Sequence, residues 1–482
     1  MNRAIRRLGG LLAVLLAALL VNVTCQQVLF AGETKDRPGN QRTVLEEYDR
    51  ERGPILVGVD PVARSIPTDD EYKYLRVYSQ GQMFAPVTGF YSLLYGSTGI
   101  ERTENPILNG DSDLFFVDRI QQLLSGRSPQ GGGVTLTLNA SAQRAAFEGL
   151  SGKVGSVLAL EPGTGAILAM ASSPSYDPNQ LANHDLKKIQ EYYEKLQADP
   201  KKPMLNRPLV SNPPPGSSFK LVTAAAALES GRYNPNSVIP GPARYRLPGT
   251  SRDIPNWNGQ ACGPGGKVTL AQALAISCNT AFAWLGNQLG QDALRGQAEK
   301  FGFGTSMTVP MRAATSRFPS DLDAAQTAMS AIGQFDVSAT TLQMALVGSG
   351  IGNGGIVMNP YLVKEVRGPD MRVVQTASPS QFGRALSAEN ASAEMSMMVG
   401  VVNSGTGSNA RIPGIQVGGK TGTAETGDGR PATAWFVAVA PADSPRVAVA
   451  VAIEDAGGGE VSGNGLAAPI ARAVIQAILG SR

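Results

Sequence analysis

The sequence predicts an α+β or α/β layer domain behind a single apolar N-terminal segment. In the stretch that follows residue 133, strand-like runs come first and last, and helix-like segments lie between them. A sheet assembled from both ends of a segment, with helices packed on it, is typical of these two fold classes. Hydrophobic residues make up 42% of the 482 residues, which is enough for a sizeable core in a chain of this length.

The N-terminal segment predicts export. Three arginines among the first seven residues precede an apolar run over 8–21, which continues in weaker form to residue 30. We predict a cytoplasmic tail at 1–7 and a membrane anchor at 8–30, because positive charge favours the cytoplasmic side. A cleaved signal peptide is the alternative, since the uninterrupted run has signal-peptide length. Either interpretation exports everything after residue 30.

The exported part divides into two regions. Residues 31–132 contain short strand-like runs, such as 55–59 and 74–78, and no catalytic constellation. The stretch 128–133 is rich in glycine and has the composition of a linker. We therefore predict a non-catalytic N-terminal domain at 31–132 and a second, larger domain at 133–482.

The elements of the second domain follow from hydrophobic periodicity, turn residues and capping residues. They are a strand at 134–138, a helix at 142–150 capped by Asn139, a hairpin of 157–160 and 166–170, a surface helix at 185–198, a helix after Ser217, a helix at 270–276, strands at 433–439 and 446–453, and a closing helix at 466–479. His184, directly before the surface helix, is predicted to be a solvated loop residue.

Composition excludes several classes of function. The net charge is only +3, so nucleic acid is not predicted as a partner. One histidine and three cysteines cannot form the common zinc sites, and no metal or cofactor is predicted. In an exported region Cys262 and Cys278 favour a disulfide, which would contribute about 3 kcal/mol by closing a loop. Two unpaired buried thiols are the alternative, and Cys25 is predicted to be unpaired.

The first of three short motifs is Ser217-Ser218-Phe219-Lys220. It follows three prolines and a glycine, and it opens an apolar, alanine-rich helix. Ser217 therefore lies at a helix N-terminus, with Lys220 one turn further on the same face. A serine becomes a nucleophile when a base takes its proton, and a lysine is such a base when burial or a nearby cation lowers its pKa. For this motif alone, an ordinary capping serine with a solvated lysine is the alternative.

The second motif is Ser277-Cys278-Asn279. Its hydroxyl and amide occupy alternate positions, so both can face one cleft if the segment is a short extended loop. The hydroxyl can relay a proton to a leaving group, and the amide can hold a substrate amide bond. Ser462-Gly463-Asn464 has the same spacing, and a simple turn is the alternative for both copies.

The third motif is Lys420-Thr421-Gly422-Thr423. On a strand, Gly422 would let a ligand backbone approach closely, while the ammonium and the two hydroxyls suit a terminal carboxylate. Lys420 would also lower the pKa of Lys220 if the two share a cleft. The segment also fits the spacing of a phosphate loop, but the residues after it predict a strand rather than a helix. A loop at the start of a strand is the remaining alternative.

The order of the three motifs matches that of penicillin-binding proteins and serine β-lactamases. It selects Ser277 over Ser462, because Ser462 follows Lys420. The chain resembles the monofunctional, class B penicillin-binding proteins over nearly its whole length, and within them the penicillin-binding protein A subgroup. The further matching segments are Arg52-Gly53, APVTGFYS at 85–92, SPSYDPN at 173–179 and the Cys262/Cys278 pair.

The resemblance implies an α+β transpeptidase domain with a central antiparallel sheet flanked by helices, an all-helical part, a smaller N-terminal pedestal domain and a single membrane anchor. It implies these roles: Ser217 as acylated nucleophile, Lys220 as general base, Ser277 and Asn279 as second motif, Lys420, Thr421 and Thr423 on the substrate carboxylate beside Gly422, and the N–H groups of Ser217 and Thr423 as oxyanion hole.

The same resemblance implies peptidoglycan stem peptides ending in D-Ala-D-Ala as substrates and β-lactams as inhibitors that acylate Ser217. No glycosyltransferase region fits before residue 128, so a separate glycosyltransferase and cell-division proteins are expected as partners. A D,D-carboxypeptidase or a β-lactamase would use the same motifs with water as the acceptor. A penicillin-binding sensor or a division scaffold is the alternative from a different functional class.

Overall fold

The computed structural model describes residues 3–25, 48–116, 130–425, 431–456, 458 and 461–480. The strands are β1 (Ile55–Val57), β2 (Asp60–Pro67), β3 (Tyr74–Tyr78), β4 (Tyr91–Ser92), β5 (Gly96–Ser97), β6 (Gly133–Leu136), β7 (Val154–Leu160), β8 (Ile167–Ser173), β9 (Val238–Pro240), β10 (Arg244–Arg246), β11 (Asp253–Pro255), β12 (Lys267–Thr269), β13 (Ile356–Met358), β14 (Val363–Arg367), β15 (Val373–Thr376), β16 (Gln381–Arg384), β17 (Gly418–Ala424), β18 (Thr433–Ala440) and β19 (Val447–Asp455).

The α-helices are α1 (Arg3–Thr24), α2 (Gly81–Thr88), α3 (Gly99–Thr103), α4 (Asn105–Leu108), α5 (Ala140–Gly149), α6 (Asn179–Ala182), α7 (Leu186–Ala198), α8 (Arg207–Val210), α9 (Lys220–Glu229), α10 (Leu270–Ala275), α11 (Asn279–Leu289), α12 (Gln291–Lys300), α13 (Ala324–Ser330), α14 (Thr341–Gly352), α15 (Ala388–Asn403) and α16 (Ala468–Gly480). Short 3-10 turns cover Asp113–Phe115, Gly216–Phe219, Pro264–Gly266 and Ser408–Ala410, and a π-helical turn covers Gly463–Ala467.

The central sheet of the larger domain is antiparallel and has the strand order β17-β18-β19-β7-β8. The predicted hairpin forms β7 and β8, and the two predicted late strands form β18 and β19. Strands from the start and the end of the domain meet where β19 pairs with β7. The α+β architecture and the assembly of the sheet from both ends are therefore confirmed.

Both faces of this sheet are buried, and alternate residues of each strand point into different cores. On β19, Val447, Val449 and Val451 belong to the core under α5 and α16, whereas Ala448 and Ala450 belong to the core under α14. Successive side chains of a strand point to opposite faces, so an apolar residue at every position requires cover on both. The sheet is thus packed on both faces. Its edge strand β17 has no further strand partner among the described residues.

A helical layer lies beside the sheet and has α9 near its centre. Helix α9 contacts α11, α12 and α15, and all of its residues except Glu229 are buried. Side chains that accept backbone N–H bonds start three of the surrounding helices: Thr269 for α10, Asp323 for α13 and Thr340 for α14. The turn before α9 is therefore fixed between a packed helical layer and the sheet.

The N-terminal domain is built on a second sheet, with the order β15-β14-β6-β1-β2-β3. Strand β6 pairs in parallel with β1 and antiparallel with β14, so residues on both sides of the predicted boundary share this sheet. Gly131 and Gly132 are buried and donate hydrogen bonds to backbone carbonyls of Glu51 and Ile107. In the described part of the predicted linker, Gly131 and Gly132 are therefore packed inside the fold.

A buried ionic cluster holds the smaller domain together. Glu101 is 0% exposed and accepts from Arg52 at 2.6 Å and from Arg76 at 2.7 Å. The guanidinium of Arg52 also stacks 4.3 Å from the ring centroid of Tyr91. Because a buried carboxylate between two guanidiniums is fully paired, the pKa of Glu101 is lowered despite its burial.

Helix α1 carries the predicted anchor. Its segment Arg6–Thr24 is long and apolar enough to cross a membrane by length and composition. The predicted anchor continues to residue 30, and residues 26–30 lie outside the described residues.

Candidate active site

Ser217 lies on the 3-10 turn that leads into α9, which confirms its predicted place at a helix start. Gly216 enters this turn with φ +51° and donates its N–H to Gly333 O at 2.9 Å. A Cβ atom at Gly216 would lie 2.6 Å from the carbonyl oxygen of Thr423. Only glycine permits this approach, so the backbone beside Ser217 is in contact with β17.

Lys220 links the first motif to the second. Its side chain is 0% exposed, and its Nζ donates to the carbonyl oxygen of Ser277 at 2.8 Å and to Oδ1 of Asn279 at 2.7 Å. Ser277 Oγ lies 3.2 Å from the same nitrogen. Within the described residues, Ser217 Oγ is not a hydrogen-bond partner of Lys220. The predicted convergence of the first two motifs is therefore observed.

The second motif is not the extended loop that was expected. Ser277 has φ +55°, in the left-handed region, and Asn279 is the first residue of α11. The segment turns sharply because α10 ends there, with the N–H of Ser277 bonded to Leu274 O. Strain of this kind is concentrated at functional sites, and here it aims both polar side chains at Lys220.

The disulfide between Cys262 and Cys278 is present next to the second motif, so the alternative of two free thiols is wrong. Asn256 adds a second support that the sequence did not reveal. Its Oδ1 accepts the N–H groups of Asn279 at 3.0 Å and Thr280 at 3.1 Å, which caps α11 from a distant loop. Because the capping residue is far from α11 in sequence, no local pattern marks it.

Lys420 lies in the middle of β17 and belongs to the same cluster. Its Nζ donates to Ser277 Oγ at 2.9 Å and to Thr421 O at 2.8 Å. Ser277 Oγ therefore contacts both lysines. Lys420 is paired with Val437 of β18, and a residue inside a strand cannot open the helix that a phosphate loop requires. The predicted strand is confirmed and the phosphate loop is excluded.

Lys220 and Lys420 repel each other when both side chains carry a positive charge. Burial lowers the pKa of Lys220 well below its ordinary value, and the positive charge of Lys420 lowers that pKa further. Burial lowers the pKa of Lys420 to about 7. Neither ammonium has a carboxylate partner among the described residues. The cleft thus favours a neutral amine at Lys220 and accommodates an anion beside Lys420.

The other residues of the third motif line the same edge. Thr421 is 8% exposed, and its Oγ1 lies 2.6 Å from Oγ1 of Thr406, a residue that the sequence did not single out. A Cβ at Gly422 would lie 3.0 Å from Pro215 O, so the strand directly contacts the segment that leads into Ser217. Thr423 is exposed at the same edge. Across residues 48–116, 130–425 and the shorter described segments, no acidic, histidine or cysteine cluster could hold a metal ion.

His184 lies away from this cleft, at the contact between the two domains. Its Nδ1 is 2.5 Å from Oδ2 of Asp70, and its ring is 4.8 Å from the ring of Tyr72. Only 13% of its side chain is exposed. The prediction of a solvated loop residue is therefore wrong, because Asp70 and the tyrosine ring are supplied by a region that is distant in sequence.

The sheet, the helical layer and the three motifs between them define a serine acyltransferase of the penicillin-binding type. The family model "Penicillin binding protein transpeptidase domain" matches residues 155–476, and "Penicillin binding protein A dimerisation domain" matches residues 52–134. The chain belongs to the penicillin-binding protein transpeptidase family, as its motifs predicted.

Within the family, the chain is similar to proteins named peptidoglycan D,D-transpeptidase PbpA. It is 45% identical to that of Mycolicibacterium smegmatis and 42% identical to that of Mycobacterium tuberculosis H37Rv, with 99% of each chain covered in both comparisons. A solved ceftriaxone acyl-enzyme complex of M. tuberculosis penicillin-binding protein A matches with TM-score 0.87 and 41% identity over 90% of this chain and 100% of that one. The predicted resemblance to this subgroup is confirmed.

Proposed function

We propose that the protein is a peptidoglycan D,D-transpeptidase that cross-links stem peptides through an acyl-enzyme on Ser217. The observation that carries the proposal is the convergence of Lys220 and Lys420 on Ser277, beside the turn that bears Ser217. The names of the similar proteins support the same reaction. The proposal requires Lys220 to act as base, Lys420 to hold a carboxylate, and Ser277 to pass a proton from Lys220 to the leaving nitrogen.

In the acylation step, neutral Lys220 takes the proton of Ser217 Oγ. A neutral amine has two N–H bonds and one lone pair. The carbonyl oxygens of Ser277 and Asn279 are acceptors only, so they occupy the two N–H bonds and leave the lone pair for a hydroxyl, which is that of Ser277 at 3.2 Å or that of Ser217 when substrate is attacked. Ser217 Oγ then attacks the carbonyl carbon of the penultimate D-alanine.

The developing oxyanion is held by the backbone N–H groups of Ser217 and Thr423, which belong to the turn and the strand that are in contact at Gly216. As the C–N bond to the last D-alanine breaks, its nitrogen gains a proton from the Ser277 hydroxyl. That hydroxyl is replenished from Lys220, which had received the proton of Ser217. The products are the acyl-enzyme and free D-alanine.

In the second step, a neutral amine of a neighbouring stem attacks the acyl carbon and loses one proton to Lys220. The bond between the carbon and Ser217 Oγ breaks, and that oxygen regains the proton. The substrate lies along the open edge of β17, where strand pairing positions an extended peptide and Gly422 allows close approach. Its terminal carboxylate binds Lys420, Thr421 and Thr423.

β-Lactams would enter by the same route. Their carboxylate occupies the same donors, and their strained amide acylates Ser217 without releasing a leaving group that can diffuse away. The ceftriaxone acyl-enzyme of the similar mycobacterial protein supports this assignment.

We propose that α1 anchors the protein as a single-pass protein of the cell membrane, with residues 1–7 in the cytoplasm, the span at 8–30 and both domains outside. The arginines before the apolar run support this orientation. The pedestal at 31–132 would carry the transpeptidase domain at 133–482 and dock division proteins. A separate glycosyltransferase would supply the glycan strands.

The decisive experiment is cross-linking in vitro. Purified protein is incubated with a pentapeptide donor that ends in D-Ala-D-Ala and with an acceptor stem peptide that carries a free amine, and products are identified by mass spectrometry. We expect a cross-linked dimer and released D-alanine with the wild-type protein. Ser217→Ala should give neither product and should not be labelled by fluorescent penicillin.

Hydrolysis without a cross-linked product, at any acceptor concentration, would identify a D,D-carboxypeptidase instead. Penicillin labelling without turnover of any donor would indicate a sensor or a scaffold. Labelling of Ser217→Ala at the same site would contradict the nucleophile assignment.

A further inference from the structure

The segment 404–410, between α15 and β17, contacts both the helix that precedes the second motif and the strand of the third motif. Its central residue is Thr406, whose N–H donates to Ala275 O, at the end of α10, at 3.0 Å. The hydroxyl of the same residue is 2.6 Å from the hydroxyl of Thr421 on β17. One residue therefore joins the helix that leads into Ser277 and the strand that carries Lys420.

The contact with α10 depends on the residue before it. A Cβ atom at Gly405 would lie 2.1 Å from Ala275 O, so any larger residue would displace the loop. Close backbone packing against α10 therefore holds the main chain beside Thr406 in place.

The other end of the loop is held by the second Ser-x-Asn sequence. The N–H of Asn409 donates to Asn464 Oδ1 at 2.9 Å, and the amide of Asn409 donates to the carbonyl oxygen of Asn464 at 3.0 Å. Gly463 packs against Gly422, since a Cβ there would lie 2.8 Å from Gly422 O. Residues 463 and 464 thus contact both Asn409 of this segment and Gly422 of the third motif.

The direction of the hydrogen bond between Thr406 and Thr421 affects whether Thr421 can bind a carboxylate. Two hydroxyls 2.6 Å apart share one hydrogen, so one donates and the other accepts. If Thr421 donates to Thr406, its only hydrogen points away from a ligand. When Thr406 donates, Thr421 keeps its hydrogen for a carboxylate oxygen, which accepts only.

We propose that Thr406 is a positioning residue for carboxylate recognition: its hydroxyl donates to Thr421 and so directs the Thr421 hydroxyl at the carboxylate of the substrate or inhibitor. This inference rests on the proposed function, in which that carboxylate binds beside Lys420. It makes Thr406 a determinant of specificity for ligands that carry a free carboxylate, without contact between Thr406 and the ligand.

The test compares the second-order rate constants for acylation of Ser217 by penicillin G and by its methyl ester, which has no free carboxylate. Loss of one hydrogen bond of ordinary strength corresponds to roughly a three- to tenfold change in rate. We expect Thr406→Val to slow acylation by penicillin G by about that factor and to change the ester's rate by less than about twofold. Thr406→Ser keeps the hydroxyl and should retain the wild-type ratio.

A double-mutant cycle separates an action through Thr421 from a general loss of structure. In a Thr421→Val background, Thr406→Val should have little further effect on the penicillin G rate. Equal slowing of both ligands, additive effects in the cycle, or failure of Thr406→Ser to restore the rate would each overturn the inference. Acylation of Ser217 by penicillin G in all of these variants would leave the proposed function standing, so the two can fail separately.

Discussion

At the scale of single residues, the protonation of two buried lysines controls the site. Lys220 is useful as a base only when it is neutral, and Lys420 is useful for an anion only when it is charged. The same low-polarity surroundings lower the pKa of both groups. The positive charge of Lys420 lowers the pKa of Lys220 further, which favours the neutral amine that a base requires.

A bell-shaped pH profile follows for the second-order rate of acylation by penicillin G. The rate should rise as pH passes the lowered pKa of Lys220, because the amine loses its proton. It should fall above about 7, the pKa of Lys420 in the free protein, because the charge that binds the carboxylate is lost. Stopped-flow measurement between pH 5 and 10 checks both limbs.

Lys420→Arg is the control for this profile. A guanidinium stays charged throughout the range, so the alkaline limb should disappear even if the maximum rate is lower. An unchanged alkaline limb in Lys420→Arg would assign that limb to another group.

Glu394 on α15 is buried at 0% exposure, and neither carboxyl oxygen has a hydrogen-bond partner among the described residues. Burial, with a smaller contribution from the negative charge of Glu229, raises the pKa of Glu394 well above its usual value. The folded protein therefore holds a neutral carboxylic acid where the unfolded chain ionises above pH of about 4.5. Stability from this group is complete below that pH and is lost as pH rises toward the folded pKa.

Glu394→Gln should consequently flatten the pH dependence of stability. Removing the titration can change the slope by up to about 1.4 kcal/mol per pH unit within that window. Denaturant unfolding of soluble protein from pH 5 to 8 measures it. Glu389→Gln, at an exposed position of the same helix, controls for the loss of one formal charge. Parallel slopes for wild type and Glu394→Gln would refute a neutral buried acid.

Sequence reasoning succeeded at this scale where the chemistry is local. The place of Ser217 and Lys220 at the start of a helix, and the effect of Lys420 on the pKa of Lys220, followed from residue types and spacing. The environment of His184 and the isolation of Glu394 did not, because both are set by side chains from distant segments.

At the scale of elements, the start of α11 is supported from outside the helix. Asn256 accepts two N–H groups there and donates its own amide to the carbonyl oxygens of Pro242 at 2.9 Å and Gln260 at 2.8 Å. The side chain is 4% exposed, so these groups have little access to water when it is removed. Asn256 therefore positions Asn279, whose Oδ1 accepts a hydrogen bond from Lys220.

Asn256→Ala should reduce the free energy of unfolding by about 2 kcal/mol, because buried N–H and C=O groups lose their partners. It should also slow acylation of Ser217, since Asn279 is released from its place. Thermal unfolding and penicillin acylation measure the two effects. Asn258→Ala, exposed in the same loop, should stay within about 0.5 kcal/mol of wild type. Equal behaviour of the two variants would contradict the capping role.

The type of most elements could be predicted from the sequence, but the shape of the second motif could not. Strands β7, β8, β18 and β19 are continuous apolar runs, and period and turn residues identify them. Ser277 adopts a left-handed conformation where α10 ends, directly before the disulfide-bonded Cys278. A side chain with a Cβ gives no local indication of that conformation.

At the scale of the whole molecule, the two domains share a sheet. Strand β6 pairs with β1 on one edge and with β14 on the other, and its Val134 and Leu136 are 0% and 2% exposed in one core with Ile55 and Leu108 of the N-terminal domain. Each such side chain contributes about 2 kcal/mol by burial. The pedestal is therefore part of the folding unit and not only a support.

A fragment of residues 133–482 should accordingly be less stable than a fragment of residues 48–482, which lacks only the anchor and the segment after it. We expect the shorter fragment to aggregate or to melt at a lower temperature, because β6 would expose its apolar side chains and one unpaired edge. Size-exclusion chromatography, thermal unfolding and penicillin labelling compare the two. Equal melting temperatures and labelling rates would show that the larger domain folds alone.

The sequence placed a boundary near residue 133 but could not show the pairing across it. Strand β14 is more than two hundred positions from β6 along the chain. The sequence of a short amphipathic strand does not indicate which strand pairs with it. The glycines before β6 looked like a flexible connection, whereas the structure uses them for close backbone contact.

The floor beneath the nucleophile has a consequence for how resistance to β-lactams can arise. Gly216 and Gly333 touch main chain to main chain, since a Cβ at Gly333 would lie 2.1 Å from Gly216 O, and a Cβ at Gly216 would lie 2.6 Å from Thr423 O of β17. Under antibiotic selection, a substitution that adds a side chain at Gly216 or Gly333 would displace the turn that bears Ser217. We therefore expect substitutions that slow acylation by β-lactams but preserve the natural reaction to lie at positions other than these two glycines.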